Sequence, residues 1–166
     1  MAGFYHRMQL DNPLWHYVSA VYSQPGVEHV CLQAQALGLQ VNSLLLCIWL
    51  ANQQQQYDPL AYVHIDQQWR DPLLKPMRSL RYWLRERKET DPELLKCYES
   101  MKQTELEMER VDIAQLWEAS LKTPVHPQQE ITSLALTNMA AYVSSVNVNN
   151  HDECQGCCRS LVDLLR

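Results

Sequence analysis

The densest set of chemically capable side chains lies near the C-terminus, in His151-Asp152-Glu153-Cys154-Gln155-Gly156-Cys157-Cys158. Thiolates and imidazoles are natural zinc ligands, and Cys154 and Cys157 have metal-knuckle spacing, with His151 and Cys158 available to complete four ligands. The same Cys-x-x-Cys pair could instead cycle as a redox dithiol. Against both, Cys157, Cys158, Leu161, Leu164 and Leu165 fall on one helical face, where a free cysteine packs as a small hydrophobe. No second Cys-x-x-Cys or His pair accompanies them, although structural zinc sites usually draw on two separated segments. Zinc is therefore the cofactor of an alternative reading, and the leading reading has none.

A second pattern lies mid-chain. Residues 66–88 hold seven basic side chains, Arg70, Lys75, Arg78, Arg81, Arg85, Arg87 and Lys88, opposed only by Asp66, Asp71 and Glu86. Residues 91–112 then hold seven acids against Lys96, Lys102 and Arg110. Two helices of opposite charge joined by a short turn read as a charge-matched antiparallel hairpin. Tyr82 and Trp83 interleave with the arginines, so the basic helix could also grip a partner through Arg78, Arg81, Trp83 and Arg85. With a net charge of −5, a protein partner fits better than RNA or DNA.

Catalytic patterns are scarce. Cys31 or Cys47 with His16 or His29 could make a nucleophile and base, but both cysteines fall on apolar helix faces, where burial makes a thiol inert. No Gly-rich phosphate loop, Gly-x-Ser-x-Gly elbow or His-Glu-x-x-His helix occurs.

The elements that must position these residues are helical. Four glycines in 166 residues, and no alternating β-branched runs, point to an all-α chain. The pattern predicts one irregular bundle of six to seven helices over 1–166, with residues 1–10 loosely ordered. Asp11 or Asn12 caps a first helix with Pro13 in its first turn, and Gly38 ends a second. Asn42 is the expected cap of a third helix, whose Leu44–Ala51 stretch is apolar all round and so belongs at the buried centre near 42–52. Gln53–Gln56 read as its polar exit.

In the basic helix, Trp69, Leu73, Met77, Leu80 and Leu84 form the expected core stripe, with a kink from Pro72 and Pro76. Asp91-Pro92 restarts the chain into a helix running to about 122, closed by Pro124 and Pro127. A sixth spans roughly 129–146 and a seventh follows His151. The longest apolar run is eight residues, far short of the ~20 needed to cross a bilayer, and no secretory signal opens the chain. A cytoplasmic location with reduced cysteines is the expectation.

Trp15, Tyr22-Ser23-Gln24-Pro25-Gly26-Val27, Cys31-Leu32-Gln33 and Gly38 to Ala51 together resemble an uncharacterised proteobacterial family of about this length, a domain of unknown function. Trp69 and Leu80-Arg81 are similar to its weaker second block. Acids in that family often follow the Leu-Gln pair and precede the Val-Asn pair, where this chain has Ala34 and Gln40. The resemblance implies a small cytoplasmic helical protein and no activity. The resulting expectation is a non-enzymatic interaction or regulatory protein contacting its partner through 66–88, the alternative being a thiol-dependent metal or redox protein.

Overall fold

A computed structural model describes residues 7–126 and 129–166. Among them seven helices pack into one bundle, with no strand and a single isolated bridge between Gln55 and Val125. They are α1 (Pro13–Tyr22), α2 (Val27–Ala36), α3 (Val41–Asn52), α4 (59–87), α5 (Leu95–Ser120), α6 (Ile131–Ser145) and α7 (His151–Leu164). The expected loose segment 1–10 falls largely on residues 1–6, and Pro127 is also outside the described residues.

Local signals explain most of the boundaries. Asn12 Oδ1 accepts from the Trp15 amide at 2.9 Å and Pro13 opens α1. Gly38, just past α2, adopts φ 94°, a left-handed conformation that favours glycine. Asn150 caps α7, accepting from Glu153 N–H at 3.2 Å.

The central helix is α3, as its composition predicts. Leu44 to Ile48, Leu50 and Ala51 are buried, Trp49 half-buried, and α1, α2, α5 and α6 enclose it. Its predicted cap is different, however: α3 begins at Val41 after Gln40, whose N–H donates to Tyr142 Oη at 2.8 Å. Asn42 is inside the helix and its amide is used elsewhere. At the exit, Gln55 is buried, not merely polar, and donates to the Ser120 and Thr123 carbonyls at 3.2 and 2.7 Å.

Helix α4 departs furthest from expectation. It starts at Pro59, capped by Asp58, which accepts from Leu60 N–H at 3.0 Å. It then passes through a π-helical stretch, Asp66–Leu74, before resuming α-geometry over Lys75–Arg87. Pro72 accounts for the change, since its ring would strike the carbonyl four residues back in an α-helix. Widening the turn relieves that contact, and Lys75 N–H donates to Arg70 O, five residues back. The predicted kink is thus a wide-turned segment that rotates the helix's facing. Leu84 remains buried and Trp69 and Met77 half-buried, but Leu73 and Leu80 are exposed, while Arg70 and Leu74 turn inward.

Candidate functional site

The inward face of α4 carries arginines because α5 supplies their carboxylates. Arg70, only 1% exposed, forks onto Asp112, equally buried, with Nε–Oδ1 at 2.6 Å and Nη2–Oδ2 at 2.8 Å. Its Nη1 donates to Ser43 Oγ at 2.8 Å and to Asp66 Oδ1 at 3.3 Å. Burial works against the Arg70 charge, but Asp112 and Asp66 outweigh it and hold the guanidinium above its ordinary pKa.

Further along, Arg78 donates to Glu109 through Nε and Nη2 and to Gln40 Oε1 through Nη1 at 2.9 Å, while Arg81 forks onto Glu105. The predicted charge-matched hairpin is therefore an inter-helix ladder, Arg70–Asp112, Arg78–Glu109 and Arg81–Glu105, running antiparallel as the chain reverses. Asn42 joins two rungs, its Nδ2 donating to Glu109 Oε2 at 2.7 Å and Asp112 Oδ2 at 2.9 Å. Glu109 has a raised pKa because burial and the nearby Asp112 and Glu105 charges outweigh its ion pair with Arg78.

The four predicted contact residues divide among three settings. Arg78 and Arg81 are mostly buried in ion pairs. Arg85 lies beyond the ladder on the exposed surface, 4.8 Å from the Tyr82 ring centroid, with Arg81 at 4.5 Å from the same ring. Gln35 Nε2 donates to Tyr82 Oη at 3.1 Å, tying α2 to α4. Trp83 points to the opposite side, 49% exposed, with Arg87 stacked at 3.8 Å.

A cleft of about 590 Å³ separates α2 from the α4–α5 hairpin, with Arg81, Arg85, Lys102, Leu32 and Glu105 among its walls. It runs into an adjoining hollow of about 400 Å³, walled by Trp15, Val18, Tyr22, Val41, Leu106 and Ile113. Tyr22, Gln35, Arg78, Leu106 and Glu109 line both. Sequence reasoning missed Arg70, Asn42, Asp112 and the hollow. The only available signal was the basic-then-acidic order of the two helices.

The residues of the proposed thiol site all lie on α7. Cys154 and Cys158 are buried in the core, Cys157 is half-buried, and His151 is exposed in the first turn. Among the described residues, no three His, Cys, Asp or Glu side chains converge to hold a metal ion. Burial raises the Cys158 thiol to about 12 and that of Cys31 to about 11, and it pushes Cys47 well up. His16 meets Asp11 at 2.6 Å, and His29 is exposed.

These features define an all-helical bundle whose polar interior is an arginine–carboxylate ladder beside an open cleft. Residues 13–116 match the model of a family described as a protein of unknown function (DUF2390), and the chain belongs to that family. No curated protein and no solved structure matches it.

Proposed function

We propose that this chain is a non-enzymatic, cytoplasmic interaction protein that docks another protein on the outward face of α4. One observation carries the reading: Leu80 and Trp83, 55% and 49% exposed, lie on the helix side turned away from the ladder, and Leu73 is exposed as well at 46%. Leu80, Trp83 and Arg87 are spaced to share that side. An apolar strip with a tryptophan and a stacked arginine has the composition of an interface hot spot. Arg78 and Arg81 support the strip from behind, holding α4 on α5, and Arg85 lies on the cleft side of α4, away from the strip.

A cytoplasmic setting suits six cysteines that are all free, and among the described residues no helix is long and apolar enough to cross a membrane. Nucleic acid is the weaker partner class, because three arginines of the basic helix are already neutralised by carboxylates.

The test is gentle purification of the tagged chain from its own host, beside a Leu80→Ser/Trp83→Ala variant. The wild-type chain should retain a stoichiometric protein companion that the variant loses without a change in melting temperature. A companion retained by the variant, or a wild-type chain that elutes alone, overturns the reading.

A further inference from the structure

The ladder is one positive charge short. Asp66, Glu105, Glu109 and Asp112 provide four carboxylates, and Arg70, Arg78 and Arg81 provide three guanidiniums. Of these seven groups, only Arg78 and Glu109 line the apolar hollow. Arg78 is already committed there, to Glu109 and to Gln40 Oε1. Asn42 gives its Nδ2 to two carboxylates and Gln35 gives its Nε2 to Tyr82. With those N–H groups used, the carbonyl oxygens are the acceptors these two amides still have, and both residues line the hollow.

The polar lining is thus the Glu109 carboxylate with its paired Arg78, the amides of Asn42 and Gln35, and Ser19 and Ser23, while Trp15, Val18, Tyr22, Leu106 and Ile113 supply apolar walls. A concave apolar site with a few convergent polar groups is the usual form of a small-molecule pocket. An ammonium group satisfies three acceptors at once, having three donors and the missing charge. An anion would meet the Glu109 carboxylate and find Arg78 already paired to it.

We propose that the hollow between α1, α2, α3, α4 and α5 binds a small apolar amine, its ammonium held by Glu109, Asn42 and Gln35 and its hydrocarbon body lying between Trp15, Tyr22 and Leu106. This site is separate from the docking strip on the far side of α4, and either assignment can fail alone.

Phenethylamine and 3-phenylpropionate, alike in body and opposite in charge, are the probes for isothermal titration against the full chain. The amine should bind, and the carboxylate should bind at least about tenfold more weakly. Glu109→Gln should weaken the amine by at least about tenfold, with Leu80→Ser/Trp83→Ala leaving it unchanged. Ser19 is exposed at the rim and outside the ladder, so Ser19→Trp blocks the hollow without disturbing the ion pairs and should abolish amine binding even if Glu109→Gln fails to fold. No amine binding at millimolar concentration overturns the proposal. So does equal or tighter binding of the carboxylate, or amine binding that survives Ser19→Trp.

Discussion

Arg70 and Asp112 are each withdrawn almost wholly from water and bonded to one another at two points. A buried pair of this kind gains little over well-packed hydrocarbon, because desolvation offsets much of the attraction. Breaking it is another matter. Asp112→Ala leaves the guanidinium with Ser43 and the partly exposed Asp66, and should destabilise the fold by about 3–5 kcal/mol. Replacing both groups, as in Arg70→Met/Asp112→Leu, should cost clearly less than the single change, because no orphaned charge remains. Urea unfolding of the three proteins checks this, and a double variant as unstable as Asp112→Ala would show that the pair itself contributes the stability. The charge order of the two helices implies pairing between them but does not single out this pair. Arg70 is one of seven basic residues in a run, and an arginine bound for the interior has the same letter as one bound for solvent. Asn42 misled for a related reason. Its position fits a helix cap, but the carboxylates of α5 compete for its amide, and they are distant in sequence.

At the scale of the element, α4 shows how one proline can redirect a helix. Periodicity assumes 3.6 residues per turn, and the wide turns around Pro72 break that assumption, so an apolar stripe projected across them no longer faces one way. The positions after the stretch provide the check. Leu74 and Leu84 are buried, so Leu74→Ala or Leu84→Ala should cost about 2–5 kcal/mol. Leu73→Ala and Leu80→Ala should fall within about 0.5 kcal/mol of wild type. Chemical denaturation of the four variants separates the two facings, and a large loss at Leu80 would place that side chain in the core. Elements with ordinary geometry were legible. Asn12-Pro13, Asp91-Pro92 and the apolar Leu44–Ala51 stretch of α3 each carry a local signal that tertiary contacts do not override. The Asp58-Pro59 start of α4, eight residues ahead of the expected one near Asp66, carries the same kind of signal, a capping side chain followed by proline.

For the whole molecule, the governing relation is between α3 and the helices that close over it. The family match ends at residue 116, before α6 and α7 begin. Yet α6 bonds to the residue that opens α3, to its middle and to the chain just past it: Tyr142 Oη receives the Gln40 N–H at 2.8 Å, and Asn138 Nδ2 donates to the Cys47 and Gln55 carbonyls at 3.1 and 3.0 Å. Asn138 Oδ1 also accepts from Tyr57 N–H at 2.8 Å, leading the chain toward α4. Leu134, Met139, Tyr142, Val143, Leu161 and Val162 complete the core from this side. Buried side chains of this size are each worth about 1.5–3 kcal/mol, so losing six forfeits as much as or more than the roughly 5–15 kcal/mol that holds a domain folded. Removal would also expose the apolar flank of α3 and leave backbone groups at its start and just past it without these partners. A fragment of residues 1–126 should therefore keep much of its helical circular dichroism but melt without a cooperative transition and bind a hydrophobic dye, whereas the full chain melts sharply. A sharp melt from the fragment would mean that the matched segment folds on its own, with α6 and α7 added to a core already complete. The hydrogen bonds from α6 argue otherwise, since the helix at the centre of the matched segment is held at its start, in its middle and just past it by partners outside that segment.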